Sequence, residues 1–233
     1  MTINLLRPAL ATIALLAASA ALAPAVAHAG GDNILGGRVT SQNQLYASAG
    51  FPDVEFGVHL PFGKFEVTPN FRFAFADNGY GYGGYGFGLG ALSAQPGVAG
   101  RWQLIDKDQW SGSLTLSFPI ILSFGGYYGY ASGVGVGVGL FHPGFMATYA
   151  ISDHVDLDFG AELTDDLRIA DGAVWFSGGV PLKFGAEFHV GDKMQLAARF
   201  EGGPGFSAGA GWGYSGVGVY PIVRGVFAFG YSF

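Results

Sequence analysis

The sequence contains no cysteine and few charged residues. Of its 233 residues, 12% are Asp, Glu, Lys or Arg, whereas 50% are hydrophobic. Without cysteine, no disulfide can hold the fold together. An average soluble domain carries about 25% charged residues, so this chain cannot cover an ordinary water-facing surface. Much of its surface is therefore expected to contact something other than water.

Basic residues are scarcer than acidic ones. The chain has 11 Lys and Arg against 17 Asp and Glu, for a formal net charge of −6. This balance argues against nucleic acid as a partner and leaves no basic patch for anionic headgroups. The histidines do not pair at ligand spacing, and no acidic loop follows the calcium-binding order. We therefore expect no metal ion and no cofactor.

The N-terminus has the features of an export signal. Arg7 ends a short, positively charged n-region, residues 9–23 are apolar and uncharged, and Ala27-His28-Ala29 supplies small residues at the cleavage positions. The apolar stretch is shorter than the roughly 20 residues of a spanning helix, which disfavours a retained anchor. We predict a signal peptide over 1–29 and one domain over 30–233.

Long uncharged segments in this chain do not have the period of a helix. Residues 110–151 carry no charge, but Val134, Val136, Val138 and Leu140 alternate with glycine. A period of two places these four side chains on one face of a strand. Each glycine would cost a helix about 1 kcal/mol relative to alanine. Since only helices or closed barrels span a membrane, the pattern favours a barrel.

The same alternation recurs along the chain, separated in turn by short turns and long loops rich in Gly and Tyr. The clear predicted strands are 52–61, 64–77, 86–105, 109–124, 133–151, 155–166, 174–191, 193–205 and 217–233. Single-chain bacterial barrels have even strand numbers, so a weak first strand at 42–50 would make ten, or loss of 52–61 would leave eight. We predict an all-β, antiparallel, up-and-down transmembrane β-barrel of ten strands, with eight as the alternative. Residues 30–40 have no clear pattern and are expected to form a loose tail.

The chain ends on aromatic residues at every second position. Phe227, Phe229, Tyr231 and Phe233 share one face of the last predicted strand, where rings prefer the headgroup boundary. This ending resembles the C-terminal signature of Gram-negative outer-membrane β-barrel proteins, and the whole chain resembles the small OmpA-like barrels without a periplasmic domain. The resemblance implies location in the outer membrane and recognition of these four residues by the barrel assembly machinery. It also implies contact with outer-membrane lipid and lipopolysaccharide, and a monomer is expected.

Twelve charged residues lie on the predicted inner face. Isolated charges there would be costly, so mixed signs predict paired side chains. Small barrels near eight strands can be filled by side chains, whereas aqueous porins have about sixteen strands. We expect a largely filled polar lumen and a structural or surface-interaction function, with a narrow porin-like channel for small polar solutes as the alternative. The twelve residues are Glu55, Glu66, Arg72, Arg101, Asp156, Asp158, Glu162, Lys183, Glu187, Arg199, Glu201 and Arg224.

Two classes of small barrel enzyme are not favoured. Lipid-modifying enzymes use a histidine with a nearby serine, and the histidines of the mature chain have no serine partner on the same strand face. Barrel proteases need Asp and His clustered at the outer rim. Asp165 and Asp166 are expected at that rim without a nearby histidine, and the Asp156–Asp158 pair is expected at the other end. We therefore predict that the protein is not an enzyme and has no catalytic residues.

The long loops are rich in glycine and aromatic residues. Gly81–Gly86 matches G-x-G-x-x-G, but no helix follows it, so a phosphate-binding loop is not expected. The loop aromatics are expected to anchor the barrel at the membrane interface, with a surface for a glycan or a protein partner as the alternative. This aromatic girdle comprises Tyr80, Tyr82, Tyr85, Tyr127, Tyr128, Tyr130, Trp212 and Tyr214.

Overall fold

The alternating segments form antiparallel strands in the computed structural model, which describes residues 32–75, 92–127, 131–170, 173–211 and 214–233. Within these ranges no helix is long and apolar enough to cross a membrane. The strands are β1 Gln44–Phe51, β2 Asp53–Phe62, β3 Phe65–Ala74, β4 Leu92–Lys107, β5 Trp110–Tyr127, β6 Ala131–Gly139, β7 His142–Ser152, β8 Val155–Glu162, β9 Thr164–Ala170, β10 Ala173–Gly179, β11 Leu182–Val190, β12 Met194–Gly211 and β13 Tyr214–Ser232.

Three pairs of these strands are halves of longer ones. β6 continues into β7, β8 into β9 and β10 into β11, with one or two residues between the halves. Counted this way, the described strands form a ring of ten, in which each pairs with its neighbour in sequence and β13 returns to pair with β1. The predicted ten-stranded barrel is confirmed, and the eight-stranded alternative is wrong. The weak first strand exists as β1, and its Gln44 lies opposite Ser232.

The breaks within the long strands fall beside prolines. Pro143 lies at the start of β7 and Pro181 directly precedes β11, while Pro204 and Pro221 face each other across β12 and β13. Proline has no N–H for the ladder, so the long strands are interrupted between β6 and β7 and between β10 and β11. The break at Leu163 between β8 and β9 faces Pro143, whose carbonyl accepts the Leu163 N–H. β12 and β13 continue through Pro204 and Pro221. The sequence analysis predicted continuous strands because the alternation of side chains stays unchanged where a proline lacks its backbone N–H.

The outer face of the ring is apolar. Val134, Leu182 and Phe227 are among the most exposed side chains, at 63%, 62% and 72%. Phe229, Tyr231 and Phe233 also point outward from the end of β13. A closed ring satisfies the backbone groups of its ladder, as hydrocarbon requires. The architecture is therefore that of a membrane β-barrel, with the four terminal aromatics on its outer face.

One rim of the barrel carries only short turns. They lie at 63–64, 108–109, 153–154 and 191–193, and Gly63 and Gly191 adopt positive φ angles of 69° and 65° there. Both ends of the described chain reach this rim, which we call the short-turn rim, since the Phe233 N–H donates to the Asn43 carbonyl at 2.9 Å. The half of the interior next to it is the lower lumen, and the other half is the upper lumen.

Two sequence predictions fall largely outside the described residues. The signal peptide over 1–29 is one of them. Of the aromatic girdle, Tyr80, Tyr82, Tyr85, Tyr128, Tyr130 and Trp212 also lie outside, while Tyr127 ends β5 and Tyr214 begins β13.

Candidate functional site

The segment that was expected to be a loose tail lies inside the barrel. Residues 32–41, which we call the plug loop, enter from the short-turn rim and return to it. The loop closes where the Ser41 N–H donates to the Asp32 carboxylate at 2.6 Å. Between these ends, Asn33 and Thr40 are only 0% and 2% exposed. The expectation was wrong because the loop has no strand pattern of its own and takes its hydrogen-bond partners from the barrel wall.

A single carboxylate holds the tip of the plug loop. Glu187, on β11, accepts hydrogen bonds from the backbone N–H groups of Ile34, Leu35 and Gly36 at 2.8, 2.6 and 2.7 Å. Successive backbone N–H groups that converge on an anion form a nest. Glu187 is therefore the main anchor of the loop.

The remaining N–H groups of the loop reach other strands. Gly37 donates to the Thr148 hydroxyl at 2.7 Å, and Val39 donates to the Gln103 side-chain oxygen at 3.1 Å. The Thr40 N–H and hydroxyl both donate to Glu66, at 3.0 and 2.9 Å. Acceptors on several strands of the ring thus bind the backbone N–H groups of the loop.

Side chains of the wall also donate to the loop carbonyls. Arg101 donates to the carbonyl oxygens of Gly36 and Asn33, at 2.6 and 3.0 Å. Ser113 donates to the Gly37 carbonyl at 2.6 Å, and Arg199 donates to that of Leu35 at 3.2 Å. The wall therefore recognises mainly the backbone of the loop, and it does so with both donors and acceptors.

Two glycines allow the loop to approach the wall this closely. A Cβ atom on Gly36 would overlap the Asp158 carboxylate, and one on Gly37 would overlap the Met146 carbonyl. Any larger residue at either position would push the loop away from the wall.

Three buried carboxylates lie together beneath the loop tip, and we call Asp156, Asp158 and Glu187 the acidic cluster. They are 0%, 1% and 0% exposed, and Glu187 lies opposite Asp156 in the β8–β11 register. Among the residues that the structure describes, none of the three has a Lys or Arg nitrogen within 4.0 Å.

Asp158 and Glu187 are hydrogen-bonded to each other, and the other described partners of the acidic cluster are neutral groups and one histidine. The Thr148 hydroxyl donates to Asp158 at 2.5 Å, and the Asn33 amide donates to Asp156 at 2.9 Å. His189 lies 3.0 Å from the same Asp156 carboxylate. Much of the hydrogen bonding of this cluster therefore comes from the plug loop itself.

The upper lumen is lined by ion pairs of both signs. Lys183 pairs with Glu162, and Arg199 lies 2.6 Å from Glu201. Arg224 joins three acids, at 2.7 Å from Asp53, 3.4 Å from Glu201 and 3.6 Å from Glu55. These pairs lie within one strand, between neighbouring strands, or across β1 between β13 and β2, so they follow the wall and leave space near the barrel axis.

That space is a cavity of about 360 Å³. Ile34, Leu35 and Gly36 of the plug loop line it, together with charged groups such as Arg72 and Arg224. Its volume falls within the range of small-molecule pockets, roughly 300 to 1,000 Å³. The plug loop therefore separates a hollow upper lumen from the short-turn rim.

A histidine and two aspartates meet in the wall of the cavity. The His142 Nε2 atom lies 3.3 Å from the Asp166 carboxylate and 3.0 Å from the Asp165 carbonyl. The prediction that these aspartates lack a nearby histidine was therefore wrong. The sequence hides the contact because β6, which pairs with β9, ends just before His142.

This cluster lacks the arrangement of a serine hydrolase. Ser117 lies opposite His142 in the β5–β7 register, but its hydroxyl donates to Glu162 at 3.4 Å. A catalytic histidine needs one ring nitrogen toward the serine and the other toward the acid. In His142 the contacts with the Asp166 carboxylate and the Asp165 carbonyl both involve the same ring nitrogen, Nε2. The described contacts therefore do not place His142 between a serine and an acid.

All twelve charges that were predicted on the inner face lie inside the barrel. Asp156, Asp158 and Glu187 form the acidic cluster. The other nine line the cavity: Glu55, Glu66, Arg72, Arg101, Glu162, Lys183, Arg199, Glu201 and Arg224.

Sequence reasoning missed three further inner charges. Asp53, Asp166 and Arg168 also line the cavity. Each lies an even number of residues from a predicted inner residue and so is expected on the same face. Asp53 precedes Glu55 by two, and Asp166 follows Glu162 by four. Asp53 lies within the predicted strand 52–61 but was not assigned to the inner face, Asp166 is the last residue of the predicted strand 155–166, and Arg168 falls in the loop predicted after it. For the plug loop, no comparable signal exists in the sequence.

Comparisons with known proteins add little detail. No protein-family model matches the chain, and no curated protein matches it. Among solved structures, the chain is similar to OmpT (in-vitro folded), an outer membrane protein of Vibrio cholerae, with 15% sequence identity and a TM-score of 0.32. The match covers 83% of this chain and 62% of that one, so the chain spans less than two thirds of its length. A likeness at this TM-score carries no argument about residues or function.

Proposed function

We propose that the protein is a non-enzymatic outer-membrane β-barrel that is closed as folded and has a structural or surface-interaction role. The observation that carries this proposal is the plug loop, which fills the lower lumen and is bonded to the wall around it. The apolar outer face and the terminal aromatics support contact with outer-membrane lipid and lipopolysaccharide and insertion by the assembly machinery. A small monomeric barrel, similar in architecture to the OmpA-like barrels, fits these features.

The hydrogen bonds of the plug loop support a closed resting state. Glu187 alone accepts three backbone N–H groups. A buried polar group that loses its partner costs about 1 to 3 kcal/mol. Opening the lumen by thermal motion of the loop would break several such bonds together. Spontaneous openings should therefore be rare.

The chemistry of the upper lumen supports the absence of enzymatic activity. Lys183, Arg199 and Arg224 are each paired with acids, so they are engaged with the wall. General acid–base catalysis requires a group that is free to exchange a proton with a substrate. The paired groups fit a role in holding the wall together.

Recording in planar bilayers tests the proposal. The purified mature chain should migrate in gels as a heat-modifiable barrel and should produce no reproducible openings at moderate voltage. Frequent openings of a defined size from the unaltered chain would contradict the closed state and favour the second candidate.

That second candidate is a narrow channel for small polar solutes. The 360 Å³ cavity and its lining of charges of both signs favour it. If the channel reading is right, Arg199→Ala should change the ion preference of the openings, because Arg199 lies where the plug loop borders the cavity.

A further inference from the structure

We propose that the lower lumen is a binding site for a short peptide, that the plug loop is its built-in ligand, and that a free peptide of the same sequence can replace it. This inference goes beyond the proposed closed barrel, because it makes closure depend on an exchangeable segment. It also predicts what the lumen does when that segment leaves.

The first argument is that the wall recognises the backbone of the loop. The wall binds N–H groups of six loop residues and carbonyl groups of four. The N–H donors are Ile34, Leu35, Gly36, Gly37, Val39 and Thr40, and the carbonyl acceptors are Asn33, Leu35, Gly36 and Gly37. Such a set of converging donors and acceptors is how proteins bind peptide segments through the main chain. The Gly36-Gly37 pair supplies specificity, because a Cβ atom at either position overlaps the wall.

The second argument is that the loop lies outside the β-ladder. The first strand begins at Gln44, and the strand pairings that close the ring do not involve residues 32–41. Its apolar contact with the wall is small, with Ile34 packed against Tyr46, Ala197 and Ala228. Removing the loop therefore takes away none of the strand pairings or turns of the described ring.

The third argument concerns the charge that the loop covers. The acidic cluster gains no Lys or Arg partner from the described residues, whereas the acids of the upper lumen are paired with Lys and Arg. Glu66, at the edge of the loop, keeps its own ion pair with Arg101 at 2.8 Å. Without the loop, water would reach the three acids of this cluster, and their ionised forms would dominate the potential of the lower lumen. The vacated lumen should therefore prefer cations.

The test uses a barrel that lacks residues 32–41 and a synthetic peptide of those residues, DNILGGRVTS. In planar bilayers this variant should show openings that the full chain lacks, with a reversal potential that indicates cation preference. Adding the peptide on the side of the short-turn rim should reduce the open time in a dose-dependent way. The matched control is the same peptide with Gly36→Val and Gly37→Val, which should leave the openings unchanged.

The outcomes separate this inference from the proposed function. A heat-modifiable deletion variant that stays silent would overturn the inference, as would equal inhibition by both peptides. Openings from the full chain would contradict the closed resting state, but the two peptides would still decide whether the lower lumen binds the loop.

A second measurement covers the case in which the deletion variant does not fold. The chain has no cysteine, so Val39→Cys in the full chain introduces a single thiol at a buried position of the loop. Excess free peptide should increase its labelling by a small maleimide at least about tenfold, because peptide in the site holds the loop out. The valine-substituted peptide should not. An unchanged labelling rate with the native peptide would overturn the proposal.

Discussion

The lower and the upper lumen solve the same problem in two ways. Both contain buried carboxylates, which are costly inside a barrel unless they are paired or hydrogen-bonded. In the upper lumen, Lys183 and Arg224 on the wall itself pair with the acids, and a cavity of about 360 Å³ remains. In the lower lumen, Glu187 is satisfied by N–H groups of the plug loop, and the space is filled. Where the acids on the wall have Lys or Arg partners on the same wall, that half of the lumen needs no inserted segment. Where they lack such partners, the plug loop supplies the hydrogen bonds.

Among the substitutions that test this difference between the two halves, Glu187→Ala is expected to have the largest effect on the plug loop. The substitution leaves three backbone N–H groups of the loop without an acceptor, at about 1 to 3 kcal/mol for each donor that stays buried. The loop should detach, and labelling of Val39→Cys in this background should accelerate by at least tenfold. Global unfolding in detergent should change much less, because the ladder is intact.

The matched control for Glu187 is Asp192→Ala, which removes an acid from an exposed turn of the short-turn rim. Surface substitutions of this kind usually stay within about 0.5 kcal/mol, so labelling of the loop should not change. Equal labelling rates in the two backgrounds would show that Glu187 does not anchor the loop.

A smaller effect is expected from Gly36→Val. The new side chain would overlap the Asp158 carboxylate, and overpacking of this kind costs about 1 to 3 kcal/mol. Amide hydrogen exchange of residues 33–40 should therefore accelerate while that of β8 and β11 stays slow. Gly225→Ala is the control, since a Cβ atom there meets no neighbour, and it should leave exchange in the loop unchanged. Slow exchange in the Gly36 variant would contradict the tight fit of the loop.

In the upper lumen, breaking one ion pair should matter less. Lys183→Met leaves Glu162 without its ammonium partner, but the adjoining cavity gives the carboxylate access to water. We expect a loss of about 1 to 2 kcal/mol in the free energy of unfolding, below the 3 to 5 kcal/mol of a fully buried pair. Adding Glu162→Gln should recover part of it. A double-mutant cycle in detergent measures the coupling between the two residues, and a coupling near zero would show that the pair does not stabilise the wall.

The contrast between the two halves also marks how far the sequence could predict the structure. Alternation placed Lys183, Glu187 and Arg224 on the inner face, because side-chain parity follows directly from strand geometry. The plug loop was missed because its order comes from partners on distant strands, such as Glu187 for Ile34, 153 residues away in sequence. The break beside His142 was missed for a related reason, since a strand that changes partners at a proline keeps its alternation. Local patterns thus predicted the wall, and the contents of the lower lumen depended on contacts that no local pattern encodes.

The smallest effect is expected at the His142 cluster, which lies in the upper lumen and most resembles a catalytic group. Its Nε2 atom contacts both Asp165 and Asp166, and Ser117 donates to Glu162. We therefore expect His142→Ala and Ser117→Ala to leave any trace hydrolysis of short-chain esters or phospholipids by the purified barrel unchanged. A real hydrolase would lose about a thousandfold or more with either substitution. A fall of that size in both variants, with heat-modifiable migration preserved, would show that the ion-paired upper lumen is an active site. The two halves would then differ in function, with catalysis in the upper lumen and closure of the barrel in the lower lumen.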